Sequence, residues 1–318
     1  MKDMAAWADK LRSGDTRWLA RAISAVVEQT PDAEALLRAA FAHSGQATVL
    51  GLTGSPGAGK STLVDGLTKA YRAAGETVGI VAVDPTSPFS GGAILGDRIR
   101  MQELHADPGV FIRSLATRGA LGGLATAAGE VVTLLDAAGK NRIMVETVGV
   151  GQAEVDIIKL ADVTVVVLVP GMGDAVQTLK AGLMEIADIF VINKADRGPE
   201  RLEQELRAML ALGPQGRDAW RAPIVKTVAT SGEGTAELQK AITERLAWME
   251  AHGGLPLFRA RQWEERLRQL ARERLADRVL APLLDAARVR QLAARVAAHQ
   301  ADPYSAVDEV IAEALAGK

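Results

Sequence analysis

"TVLGLTGSPGAGKST", Thr48 to Thr62, decides the fold. It begins as an apolar, β-branched run, passes through a glycine-rich middle and opens the helical stretch "STLVDGLTKAY". Strand, glycine loop and helix in that order form the context in which G-x-x-x-x-G-K-[ST], here "GSPGAGKST", holds a phosphate chain. Glycines at 54, 57 and 59 let successive backbone N–H groups turn inward on phosphate oxygens. Lys60 supplies a cation for the β- and γ-phosphates, and the Ser61 hydroxyl can ligate a magnesium ion. The helix N-terminus adds positive potential. Gly54, Ser55, Pro56, Gly57, Ala58, Gly59, Lys60, Ser61 and Thr62 together are the expected phosphate cradle.

Working outward, the rhythm repeats. "TVGIVAVD", "VFIRSLA", "NRIMVETVGV", "VTVVVLVP", "IFVINKAD" and "PIVKTVAT" are further β-branched runs separated by helical stretches. Apolar runs this continuous suit strands covered on both faces, which predicts an α/β P-loop NTPase with a mainly parallel sheet flanked by helices. Before residue 47 the pattern is helical: "TRWLARAISAVVEQ" places Trp18, Leu19, Ile23, Val26 and Val27 at helical intervals, and Pro31 opens a second stretch. After "LPLFRA" it is helical again, with Trp263, Leu267, Leu270, Leu275 and Val279 on one stripe. Asp302-Pro303 reads as an N-cap followed by proline at N1. The stripe is either a packing appendage or a self-association surface. The expected organisation is a helical extension at 1–46, a nucleotide domain at 47–253 and a helical extension at 254–318.

The totals narrow the function classes. With 318 residues, 48% hydrophobic and 24% charged, the chain is long and apolar enough for a sizeable core. A net charge of -2 gives no field to draw nucleic acid or anionic lipid, and 4% aromatic residues leave few rings for base stacking. The absence of cysteine excludes disulfides, zinc thiolates and thiol catalysis together. The four histidines, at 43, 105, 252 and 299, lack metal-ligand spacing. "MKDMAAWADK" has no signal-peptide core, and no apolar stretch reaches the roughly 18 residues of a membrane helix, so a cytoplasmic protein without membrane or nucleic-acid partners is expected.

Which nucleotide the cradle holds is addressed by "NKAD", Asn193 to Asp196, at the end of an apolar run. The Asp196 carboxylate can accept two hydrogen bonds from guanine's ring N–H and exocyclic amine; adenine has no such amine, and leaves a desolvated carboxylate unpaired. Asn193 is expected to brace the loop, Lys194 to lay its stem over the purine, and a main-chain N–H near Ala229, in "VATSGEG", to meet the base oxygen. "VETVGVGQAE", residues 145 to 154, supplies the switch. Glu146 can accept from magnesium-bound water, the Walker-B role, and the Gly149 N–H can meet the γ-phosphate. The neighbouring glycines let the backbone rearrange once that phosphate leaves. In "VDPTSPFSGGAILGDRIRM", Asp84 is assigned to the magnesium water shell and Asp97 to magnesium or the attacking water, while Asp97 serves equally as an N-cap for "RIRMQEL". Many signalling GTPases place a water-orienting glutamine just after the switch glycine; here that position is Val150, with Gln152 two further on. Slow hydrolysis that a partner accelerates is the expectation, with GTP/GDP and Mg2+ as cofactors.

With these residues assembled, the chain resembles the MeaB/ArgK family of GTPases. The resemblance runs through "GSPGAGKST", "VDPTSPFSGGAILGDRIRM", "TRGALGGLA", "ETVGVGQAE", "VPGMGDAVQTLKAG", "NKAD" and "DPYSA". It implies a GTPase chaperone that gates adenosylcobalamin delivery to methylmalonyl-CoA mutase or a related acyl-CoA mutase, and protects or reactivates that enzyme. It also implies a homodimer using the C-terminal helices, a cobalamin adenosyltransferase as a further partner, and an additional switch in which Lys180 approaches the nucleotide. Pattern alone makes Lys180 a solvated helix lysine. One departure is "VAT", which lacks the Ser-Ala pair common in GTPase base loops. The rivals are a P-loop ATPase or kinase of arginine and ornithine transport, which Asp196 opposes, and a nickel-delivery GTPase, for which the chain has no cysteine or histidine cluster.

Overall fold

Seven strands, one for each β-branched run, form a single sheet: β1 (Thr48–Gly54), β2 (Val78–Asp84), β3 (Val110–Ala116), β4 (Arg142–Thr147), β5 (Val163–Leu168), β6 (Ile189–Asn193) and β7 (Ile224–Thr227). Their order is β3-β2-β4-β1-β5-β6-β7, and every pairing is parallel. The computed structural model describes residues 7, 9–11, 13–84, 102–116, 123–147, 160–171, 186–212 and 219–316. The expected α/β architecture is therefore present. Several strands stop before their apolar runs do. β6 ends at Asn193 because Lys194 turns left-handed, φ 55°, and a 3-10 turn, Ala195–Arg197, follows.

Both faces are covered, and side chains alternate between them. Ile143 and Val145 of β4 join Val81 and Val83 of β2 on one side, against α1 (Thr16–Val27), α2 (Ala33–Phe41) and α4 (Gly123–Ala137). Met144 faces the other side with Leu50, Leu52, Val163, Val165 and Val167, under α3 (Lys60–Ala73) and α6 (Thr235–Ala251). On the first side again, α5 (Glu200–Leu210) covers Phe190 and Ile192 with Leu202 and Leu206. The N-terminal helices thus share the core of the sheet. In α1, Leu19, Ile23 and Val26 are buried as the spacing predicts, and Asp15 caps it by accepting from the N–H groups of Arg17 and Trp18 at 2.9 and 3.2 Å. The next helix starts at Ala33 rather than at Pro31.

The starting edge of the sheet is held by carboxylates. Asp162, just before β5, donates its N–H to Val49 O at 2.8 Å and accepts from Val49 N at 2.8 Å. Asp188, before β6, does the same with Thr164, at 2.9 and 2.8 Å. Asp136, at the end of α4, accepts from Gly45, Gln46 and Ala47, which ties the segment entering β1 to that helix. Burial pushes the Asp188 carboxyl up, opposed by the Arg245 guanidinium 2.7 Å away and by the Thr164 N–H.

The chain divides into two compact units, residues 1–255 and 256–318. The second contains most of the helix α7 (Gly254–Leu275), a π-helical turn at Ala276–Leu280, α8 (Ala286–Ala297) and α9 (Pro303–Ala316). Asp302 caps α9 through the N–H groups of Tyr304 and Ser305, both at 3.0 Å, so the Asp-Pro pair lies where an N-cap and N1 are expected. The unit's own core is small: Leu292, Ala306 and Val310, with Leu283 and Val296 packed against them. Much of its apolar surface is outward, with Leu267 61%, Leu275 56% and Val307 57% exposed. Among the described residues no helix is long and apolar enough to cross a membrane.

Candidate nucleotide site

Parallel strands all end on the same side, and this sheet's order reverses about β1, where crossovers leave in opposite directions and open a crevice. The predicted cradle lies there, between β1 and α3. Gly54 has φ 141°, and a Cβ on it would stand 2.0 Å from the Val167 carbonyl oxygen of β5. Gly59 has φ 89°, and a Cβ there would meet Asn193 Nδ2 at 2.3 Å. Both are left-handed or strained for any other residue, and both are closed to a side chain by their neighbours. Among the described residues no side chain caps α3, and its first turn carries no acidic group, so its N-terminal amides and dipole are directed at the loop.

Lys60 is 5% exposed, and its Nζ donates to Gly54 O at 2.6 Å and Ser55 O at 3.0 Å. The ammonium is thereby folded back across the loop that it would share with a phosphate chain. The Ser61 hydroxyl donates to Glu146 Oε1 at 2.6 Å. Glu146, 8% exposed, sits opposite Leu52 in the β1–β4 register, which places its carboxylate beside the start of α3. One hydroxyl and one carboxylate in contact are hard oxygen donors, and they fit magnesium, which keeps most of its water and needs few protein ligands. Among the described residues no group of three or more acidic or histidine side chains gathers as an alternative metal centre.

The second half of the site is at the ends of β6 and β7. Asn193 is 2% exposed; its Nδ2 donates to Ala58 O at 2.7 Å, and its Oδ1 accepts from Thr227 Oγ1 at 3.0 Å and Ala229 N at 3.1 Å. Lys194 reaches Gly57 O with its Nζ at 2.9 Å. A lysine held at positive φ is a strained position, of a kind concentrated at functional sites. Asp196 is exposed on the 3-10 turn.

Gly54 to Thr62, Glu146, Asn193, Lys194, Asp196 and Ala229 are thus gathered at one edge of the sheet. In this structure the Ala229 N–H is directed at Asn193 rather than left pointing outward. Asp84 ends β2, whose Ala82 pairs with Glu146, so its backbone is at the same edge; its side chain is outside the described atoms. Asp97, Gly149, Gln152 and Lys180 lie outside the described residues. Thr227, whose hydroxyl bonds Asn193, belongs to no motif in the sequence. Its position at the last residue of a strand, two before Ala229, was the available signal.

A phosphate cradle whose carbonyls are held by an Asn-Lys-x-Asp segment belongs to the P-loop guanine-nucleotide hydrolases, and this chain is a GTPase of that class. It is a member of the MeaB family: residues 19–283 match the family described as Methylmalonyl Co-A mutase-associated GTPase MeaB. A protein of Pyrococcus abyssi, provisionally named a GTPase, is 48% identical over 97% of this chain and 96% of its own. GTPase ArgK of Escherichia coli is 36% identical over 86% of this chain and 85% of its own. The crystal structure of a protein named LAO/AO transport system kinase superposes with a TM-score of 0.73 at 27% identity, covering 96% of both chains.

Proposed function

We propose that this GTPase acts as a chaperone of an adenosylcobalamin-dependent acyl-CoA mutase, most directly methylmalonyl-CoA mutase, gating cofactor delivery and protecting or reactivating the enzyme. The observation that carries this reading is the gathering of the phosphate cradle, Glu146 and the Asn193–Asp196 segment at one edge of the sheet, in a chain whose family is described by its association with that mutase. In this reading Lys60 leaves the carbonyls of Gly54 and Ser55 for the β- and γ-phosphates. Ser61 and Glu146 would hold a magnesium ion, with Asp84 assigned to its water shell and Asp97 to the ion or to the attacking water. Bound there, the ion supplies charge neutralisation of the phosphates. Gly149 offers its N–H to the γ-phosphate and Lys180 closes on the nucleotide when the mutase is present; with Val150 in the water-orienting position and Gln152 two further on, hydrolysis is slow until that partner accelerates it. Asp196 reads guanine, with Asn193, Lys194 and Ala229 holding the base loop.

The organisation follows: a helical extension at 1–46, the GTPase domain at 47–253 and a C-terminal dimerisation extension at 254–318. Outward-facing Leu267, Leu275 and Val307 support self-association of the last of these. The experiment is phosphate release with and without a cobalamin mutase, together with co-purification under GDP and a non-cleavable GTP analogue. Stimulated hydrolysis and nucleotide-dependent capture are expected. A mutase that alters neither hydrolysis nor nucleotide affinity removes the reading, because coupling between two binding sites is reciprocal.

A second reading, an ATP-using kinase of arginine and ornithine transport, is favoured by the likeness to the transport system kinase whose crystal structure superposes on this chain. It requires ADP to bind as tightly as GDP, which calorimetry on this chain decides.

A further inference from the structure

The inner face of α1 belongs to the core, where Leu19, Ile23 and Val26 are buried. Its flank does not. Trp18, Arg21 and Ala25 follow one another at i, i+3 and i+7 and so share a second stripe of the helix. That stripe lines a recess of about 380 Å³, completed by Leu36 of α2 and by Trp7 from the segment ahead of α1. The two indoles meet edge to face, with centroids 4.8 Å apart and planes at 80°, so each limits the rotation of the other. Trp7 is half-buried against the core, whereas Trp18 gives its ring to two cations.

Those cations are Lys10, with Nζ 4.4 Å from the ring centroid, and Arg21, with Cζ 5.4 Å from it. Both residues are exposed, and among the described residues no carboxylate pairs with either. Asp32 is the one acidic residue of the lining, so two cations held at an indole outweigh it. A small-ligand site encloses most of what it binds. Here Arg21 and Asp32 are exposed and both indoles only half-buried, which makes the recess a feature of the surface. Tryptophan and arginine around a surface pocket are the composition of interface centres. An apolar side chain entering beside the indoles, with carboxylates next to it, meets both the apolar wall and the two cations.

We infer that this recess is a docking site for a partner polypeptide that inserts an aromatic or long aliphatic side chain flanked by carboxylates, and that the mutase proposed above carries it. This rests on the chaperone reading of the chain. The measurement is the affinity of the full chain for methylmalonyl-CoA mutase by biolayer interferometry, with GDP and with a non-cleavable GTP analogue, at low and at raised salt.

Arg21→Glu is expected to weaken the complex about tenfold or more and Lys10→Glu about threefold or more, while basal hydrolysis and GDP affinity hold. Trp18→Ala is expected to weaken it about tenfold. Raised salt is expected to weaken the wild-type complex more than that of R21E. Unchanged affinity in either charge variant, or equal salt dependence of R21E and wild type, overturns the inference. So does a loss in R21E accompanied by altered basal hydrolysis or GDP affinity, since that assigns the effect to the nucleotide site. A change in the mass of R21E in solution by light scattering makes the recess a contact between copies of this chain and overturns it as well. Should W18A not fold, R21E and K10E decide alone. A wild-type chain that binds no mutase with either nucleotide overturns the chaperone reading and this inference together, whereas wild-type binding that R21E, K10E and W18A all retain overturns the inference alone.

Discussion

The two ends of the sheet use carboxylates in opposite ways. Where the strands begin, Asp136, Asp162 and Asp188 accept from main-chain N–H groups and lock neighbouring segments in place. Where they finish, Glu146 meets a hydroxyl and Asp196 stands exposed on a turn. Burial does not separate the sets, since Asp162 is 1% exposed and Glu146 8%. The difference is in the partner. A carboxylate bonded to backbone amides has its lone pairs committed to the fold, while one facing an exchangeable hydroxyl can trade that partner for an ion or a base.

Substitutions at the two ends test this contrast. Lys60→Ala, at the finishing edge, is expected to abolish hydrolysis and weaken triphosphate binding by about a hundredfold or more while the thermal midpoint of the free protein holds, as read by calorimetry, phosphate release and a melt. Asp196→Asn is expected to erode the preference for GDP over ADP by roughly tenfold, because an amide does not accept two donors as a carboxylate does. Undiminished preference in competition titrations removes Asp196 from base reading. At the starting edge, Asp162→Ala leaves the buried Val49 N–H without its carboxylate and is expected to cost about 1–3 kcal/mol in a denaturant melt, with GDP affinity within about twofold of wild type. A large loss of affinity there erases the distinction between the edges.

The smallest effect is on acid stability. Asp107, which precedes β3, is held below the ordinary carboxylate value of 3.8 by hydrogen bonds from Arg72 and the Gly109 N–H. A depressed folded-state pKa contributes stability above the unfolded value and loses it as pH falls through the folded one. Melts of wild type and Asp107→Asn are therefore expected to differ above pH 3.8 and converge below it; a constant gap contradicts the assignment.

The strands were legible because burial on both faces demands unbroken apolar runs, and "VTVVVLVP" can hardly be read otherwise. The cradle was legible because its glycines, lysine and serine are contiguous. Asn193 was legible as to residue, but its bonds to Ala58 and Thr227 span 135 and 34 positions, and no local spacing encodes such contacts. The stripe through Trp263, Leu267 and Leu275 was visible as helical, yet periodicity gives the direction of an apolar face and says nothing of what covers it; those residues are 40%, 61% and 56% exposed.

The reciprocal pair between Asp188 and Thr164 sets the alignment of β6 on β5, beginning with Val165 opposite Ile189, and β6 carries Asn193 at its far end. A slip of one position at Asp188 shifts Asn193 by about 3.3 Å along the strand and sends its side chain through to the opposite face. The edge remote from the proposed nucleotide site is in that sense a ruler for the proposed base pocket: lengthening or shortening the chain just ahead of Ile189 is expected to alter base preference from the far side of the sheet.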